Sequence, residues 1–155
     1  MRETLPPITV FIADREMRRS ALCRQLLQAA KIQVIGTART AQDAIVGSRS
    51  KPNVLLFDLR LNRHHAVPAL MLIRARIPRT KVLLLTGRGA LDTHILQGIS
   101  HGARGYLESA VVRRFLVKAV RAVHGGESWV PRAMVSKIID RLARLNLQKA
   151  RRSKR

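Results

Sequence analysis

The sequence predicts an α/β fold: a doubly wound parallel sheet of five strands with helices on both faces, followed by an extra C-terminal helix. Three observations carry this. Short apolar runs recur along the chain, of which Val54 to Phe57 and Val82 to Leu85 are the clearest. Runs of that length without polar alternation read as strands buried on both faces. Each is followed by a helical periodicity, so strands and helices alternate strictly, the pattern of a parallel sheet. Several runs also end on a lone polar residue, namely Asp14, Asp58 and Thr86. The carboxyl ends of such strands face the crevice where open α/β sheets bind ligands.

Taken in order, Ile8 to Ala13 reads as the first strand, ending at Asp14. A helix follows with Leu22, Leu26, Leu27 and Ala30 on its apolar face and several arginines opposite. Ile32 to Ile35 reads as the second strand, stopped by Gly36. Thr40 is placed to cap a helix over Ala41 to Arg49, with Asp43 in its first turn. Asn53 to Asp58 is the third strand, and a polar loop with His64 and His65 leads to a helix from about Ala66 to Arg76, closed by Ile77-Pro78. Lys81 to Thr86 is the fourth strand, and Gly87-Arg88-Gly89 turns into a helix over Leu91 to Ser100, ended by Gly102. Arg104 to Leu107 is the fifth strand. Val111 to Val123 is an amphipathic helix stopped by Gly125-Gly126, and Trp129-Val130-Pro131 leads into a last helix. Its stripe is Val135, Ile138, Ile139, Leu142 and Leu145, with Lys137, Arg141 and Arg144 on the other side. The expected organisation is a main domain over 1–126, a linker or dimerisation helix over 127–148 and a basic, disordered tail over 149–155.

Composition narrows the function. No apolar run approaches the roughly 18 residues needed to span a bilayer, and the N-terminus has no secretory h-region, so a cytoplasmic protein without membrane contact is expected. Cys23 is the lone cysteine and falls inside a helical pattern, where a small core residue is expected rather than a reactive thiol. A net charge of +21 implies attraction to polyanions, nucleic acid among them. The basic tail does not account for it, because 25 basic against 9 acidic residues remain when its five are set aside. His64 and His65 are adjacent rather than one helical turn apart, which disfavours a metal site. Ala-Asp-Arg-Glu follows the first strand where a nucleotide enzyme of this class carries a glycine-rich loop, so a nucleotide-dependent enzyme is disfavoured.

Asp14, Asp58 and Thr86 should converge on one crevice, with Tyr106 on the next strand over. Two carboxylates there suit a hard cation such as Mg²⁺, which takes oxygen ligands. A carboxylate is also a nucleophile toward phosphorus. The ordered set Val10-Phe-Ile-Ala-Asp14, Pro52 to Arg60, Lys81 to Thr86 and Gly102 to Leu107 resembles the response-regulator receiver domain, in its NarL/LuxR-type branch. Ala119 to Pro131 resembles that branch's exit toward its DNA-binding domain. The resemblance implies a flavodoxin-like sheet of order 2-1-3-4-5 in a signalling module that controls transcription and is not itself an enzyme. It makes Asp58 the phospho-acceptor, Thr86 and Tyr106 the switch pair, and Asp14, Asp58 and the backbone carbonyl of Arg60 the ligands of a weakly held Mg²⁺. It implies a sensor histidine kinase or other signalling protein as partner. A homodimer is a further expectation, as is DNA, met through the basic surface or through a helix-turn-helix domain absent from these residues.

The departures matter as much. Where the family has two adjacent acids after the first strand, the first is Ala13; where it has a lysine after the fifth strand, Ser109 stands; and the Pro-Gly turn after Asp58 is missing from Leu61 to Ala66. The site is therefore expected to be atypical and its output possible without phosphorylation. The competing expectation is a pseudo-receiver serving as a basic nucleic-acid-binding or protein-interaction scaffold. Arg15, Arg60, Arg63 and Arg88 crowd the same loops. Two like charges in a crevice need an offsetting cation, and guanidinium matches carboxylate geometry. An arginine is thus expected to reach Asp14 or Asp58, with Arg15 and Arg88 the first candidates; Arg15, Arg88 and Ser109 are equally candidate partners for a phosphoryl group, the arginines in place of the family's lysine.

Overall fold

A computed structural model describes residues 4–61 and 66–155. The strands are β1 (Thr9–Ala13), β2 (Gln33–Ala38), β3 (Val54–Asp58), β4 (Lys81–Thr86) and β5 (Tyr106–Glu108). They form one parallel sheet of order β2-β1-β3-β4-β5. The helices are α1 (Met17–Ala29), α2 (Ala41–Gly47), α3 (Ala66–Arg76), α4 (Asp92–Ser100), α5 (Val112–His124) and α6 (Arg132–Ser153). Sheet order and alternation are those expected.

The central strands β3 and β4 are buried except for Lys81 at the start of β4, and successive side chains feed two separate cores. Leu55, Phe57, Val82 and Leu84 pack with α2, α3 and α4 on one face. Val54, Leu56, Leu83 and Leu85 pack with α1 and α5 on the other. Thr40 caps α2 as expected, its hydroxyl accepting from the Asp43 N–H at 3.1 Å.

Four details differ from the sequence reading. β2 runs through Gly36 to Ala38 rather than stopping there, with its register against β1 shifting between Val10 and Phe11. The glycine makes room: a Cβ at Gly36 would sit 2.7 Å from the Phe11 ring, and one at Gly47 would also collide with it. β5 begins at Tyr106, although Arg104 and Gly105 still bond to β4 through the Arg104 N–H to the Val82 carbonyl (2.8 Å) and the Leu84 N–H to the Gly105 carbonyl (3.0 Å); on their other side they meet the segment after α5. Trp129 donates its N–H to the Arg104 carbonyl (3.0 Å) and accepts from Tyr106 (3.1 Å). Gly105, at φ 158°, lies so close to the Trp129 backbone that no side chain fits. The Trp129 ring packs on Phe115, with centroids 5.9 Å apart, at the exit toward α6.

The third difference is the tail. α6 continues to Ser153, so residues 149–153 are helical rather than disordered, as suits a run of leucine, glutamine, lysine, alanine and arginine. The fourth is the stripe of α6. Met134 is buried and Ile138 joins the core, but Val135, Ile139, Leu142 and Leu145 are exposed. No helix among the described residues is long and apolar enough to cross a membrane. His64, His65 and Arg63 lie outside the described residues.

Candidate functional site

Because β1 and β3 are neighbours, with Ala13 paired to Phe57, the residues at their ends meet. Asp14 follows β1 and Asp58 closes β3; both are buried, as is Thr86 at the end of β4. The Asp14 Oδ1 accepts from the Glu16 N–H (2.9 Å), a turn that sets the start of α1. Asp58 accepts one backbone N–H on each oxygen, Arg60 to Oδ1 (2.9 Å) and Arg15 to Oδ2 (3.2 Å).

The cation that faces this pair is Arg19, one of the arginines that the α1 pattern sets opposite its leucines. Helical side chains tilt toward the helix N-terminus. From the first turn of α1, Arg19 therefore reaches back over the strand ends, and it is only 6% exposed. Its Nε donates to Asp14 Oδ2 (2.7 Å) and its Nη2 to Asp14 Oδ1 (2.9 Å), a bidentate grip. Nη2 also lies 3.3 Å from Asp58 Oδ1. Nη1 donates to Ser109 Oγ (2.7 Å) and to the Thr86 carbonyl (3.3 Å), while the Ser109 hydroxyl donates to that same carbonyl (3.1 Å). One guanidinium thus joins the ends of β1, β3 and β4 to the residue after β5.

The electrostatics follow from burial. Desolvation pushes the Asp58 carboxyl above the ordinary carboxylate range and Asp14 pushes it further; the Arg60 N–H, Arg19 and the Arg15 N–H pull it back. For Arg19, burial opposes the charge, but the hydrogen bonds and charge of Asp14, then the charge of Asp58, outweigh it and hold the guanidinium pKa above its usual value. Behind Arg19, burial pushes the Cys23 thiol up to about 12.

Of the other sequence candidates, Arg15 and Arg60 touch Asp58 through backbone N–H groups, and both side chains and that of Arg88 are exposed. Neither Arg15 nor Arg88 forms the expected ion pair, since α1 delivers a closer guanidinium with no exposed loop to order. Ser109 is at the site, as Arg19's partner. The Thr86 hydroxyl donates to the Leu107 carbonyl at 3.5 Å. Tyr106 is buried in the core that contains Ile95, Ala103 and Met134, and its phenol pKa is raised by burial, then by Glu108 and Asp92. A cleft of about 330 Å³ opens over Asp58, walled by Arg15, Glu16, Arg19, Arg60 and Gly87.

A parallel sheet of this order, with buried aspartates ending β1 and β3 and a threonine ending β4, defines a receiver-type signalling domain. The chain belongs to the response regulator receiver domain family, whose pattern matches residues 10–121. It is 31% identical over 134 residues to the transcriptional regulatory protein LnrK of Bacillus subtilis, covering 84% of this chain and 60% of LnrK. It is 27% identical to the response regulator protein VraR of Staphylococcus aureus, covering 86% of this chain and 64% of VraR. The chain therefore spans less than two thirds of these relatives. Among solved structures, a LuxR-family two-component response regulator from Aurantimonas sp. SI85-9A1 superposes with a TM-score of 0.75 at 20% identity, covering 89% of this chain and 99% of that one. The receiver domain of the putative response regulator NarL from Mycobacterium tuberculosis does so with a TM-score of 0.70 at 23% identity, covering 79% and 100%. These two likenesses concern the fold.

Proposed function

We propose that this chain is the receiver module of a transcription regulator in which Arg19, rather than a bound divalent cation, neutralises the acid pocket, so that output follows protein level or a partner instead of phosphorylation of Asp58. The observation that carries this is the Arg19 guanidinium at 2.7 and 2.9 Å from Asp14 and 3.3 Å from Asp58. The transcriptional role rests on the names of the relatives.

The donor set does not fit Mg²⁺. Ala13 supplies no oxygen, both Asp14 oxygens are engaged by Arg19, and among the described residues no three His, Cys, Asp or Glu side chains cluster to hold a metal ion. Any Mg²⁺ bound here has to displace a hydrogen-bonded guanidinium, so its affinity is weak. Phosphoryl transfer depends on neutralising charge at the phosphoryl oxygens. Ser109 stands in place of the family's lysine and its hydroxyl is committed to Arg19 and Thr86. A lost donor of that kind costs about 2.7–4 kcal/mol of transition-state stabilisation. Arg19 is already spent on two aspartates and Ser109, so it does not replace that donor without breaking its own bonds.

Incubation with acetyl phosphate and Mg²⁺, read by intact mass against Asp58→Asn, tests this. The native chain is expected to label far more slowly than ordinary receivers, and Ala13→Asp with Ser109→Lys to label faster. Native labelling at an ordinary rate refutes the reading. A second reading, a basic scaffold for nucleic acid, is favoured by the net charge of +21. A steep salt dependence of DNA binding by this chain would support it. A sensor kinase, a second copy of the chain and a DNA-binding partner domain remain proposed partners.

A further inference from the structure

At the opposite end of the sheet, where β3 and β4 begin, a half-open pocket of about 510 Å³ is lined by Lys51, Arg76, Arg79, Lys81 and His124. No acidic residue lines it. We propose that this pocket binds a small polyphosphorylated ligand of the nucleoside di- or triphosphate class.

The two lysines and two arginines carry +4. α3 and α5 end here, and a helix C-terminus carries about −0.5 each. Arg76 sits in the last turn of α3, and the Lys81 ammonium donates to the His124 carbonyl at 3.2 Å. These ends absorb about one charge in total, leaving roughly +3 uncompensated. None of the four cations has an acidic partner within ion-pair distance among the described residues. A concave cluster of one sign focuses the field on an incoming anion, and phosphate oxygens are the acceptors that arginine and lysine match best.

Shape selects a small ligand over a nucleic-acid backbone. The volume falls within the ordinary range for small-molecule sites, about 300–1,000 Å³. Pro52, Ile77 and Pro78 add an apolar wall beside the cations, suited to the face of a ring. The frame is fixed: Thr80 donates to the Pro52 carbonyl (2.6 Å), and Asn53 Oδ1 accepts from both the N–H and the hydroxyl of Thr9 (2.9 and 3.0 Å). Lys51, Arg76 and Arg79 are exposed on that frame, and Lys81, half-buried, is held at its edge by the His124 carbonyl. The site is separate from the acid pocket. Lys81 starts β4 and Thr86 ends it, a separation of about 17 Å at the strand rise.

The test is equilibrium binding of ATP, ADP, AMP and inorganic triphosphate to the full chain, in EDTA at fixed ionic strength. One saturable site is expected, tightening from AMP to ATP, with inorganic triphosphate weaker than ATP. Arg76→Glu with Arg79→Glu is expected to weaken ATP by at least about tenfold. Arg151→Glu with Arg152→Glu, the same charge change on the distal turn of α6, is expected to change it less than about threefold. Equal losses in the two double variants would mean attraction by bulk charge alone and overturn the site. Inorganic triphosphate binding as tightly as ATP would overturn the nucleoside assignment. Absence of nucleotide binding, with a DNA duplex bound and weakened by Arg76→Glu and Arg79→Glu, would overturn the small-ligand assignment.

Discussion

At the carboxyl ends of the strands one arginine is buried against two aspartates, whereas at the amino ends four cations stand around a cavity that no acid lines. The residue type is shared and the consequence is opposite. Arg19 is removed from water and its donors are committed, so it is part of the fold. Arg76 and Arg79 remain solvated, so their charge is available to something else. Surroundings, not residue type, decide whether a cation in this highly basic chain holds the structure together or attracts a ligand.

The largest effect belongs to Arg19. Arg19→Ala leaves two buried carboxylates without their cation and is expected to cost about 3–5 kcal/mol, the usual penalty for breaking a buried pair from one side. Chemical denaturation measures it, and a loss below about 1 kcal/mol would place Arg19 with the surface cations and erase the contrast. Arg19→Met together with Asp14→Leu is expected to recover part of the loss, because one of the two orphaned charges goes too while Asp58 keeps its backbone N–H donors from Arg15 and Arg60.

The effect of losing Arg19 depends on pH. Arg19 lowers the raised pKa of Asp58, so without it that pKa rises further. Between the two values the variant's folded state holds a proton that the native folded state does not. The stability gap between native and Arg19→Ala is therefore widest above the variant's Asp58 pKa and narrows as pH falls toward the native Asp58 pKa. Denaturation curves across that acid range check the sign; a gap that widens on acidification contradicts it. Smaller still, Ser109→Ala is expected to cost about 1 kcal/mol, since Arg19 loses an acceptor and the Thr86 carbonyl a donor. At the other end of the sheet, Arg76→Glu with Arg79→Glu is expected to shift stability by no more than about 0.5 kcal/mol, as for surface residues generally. A larger loss would show that those arginines are structural.

Much of this was legible in the residues. Val54 to Phe57 and Val82 to Leu85 announce buried strands, and their ends place Asp58 and Thr86 without any coordinate. That an arginine meets the aspartates was legible too, from the need to offset two neighbouring charges. Which arginine was not. The apolar periodicity of α1 centres on Leu22, Leu26 and Leu27, but the buried line is Arg19, Cys23 and Leu27, spaced four residues apart. The cysteine was the available signal: a buried Cys23 puts Arg19 one turn earlier on the same face, pointing at Asp14. Gly36 misled in the other direction, since it permits contact with Phe11 inside a strand instead of ending it. The run from Lys149 read as an irregular tail because charge was weighed above helix propensity.

If Arg19 takes the place of the pocket's cation, removing its charge opens the site to a metal ion. Calorimetric titration of Mg²⁺ into the native chain and into Arg19→Gln at constant ionic strength, with the fold of the variant verified by circular dichroism, measures this. Weak binding by the native chain is expected, with an affinity at least about tenfold higher in Arg19→Gln, because Asp14 and Asp58 are released to the metal. Equal affinity in the two proteins would contradict it.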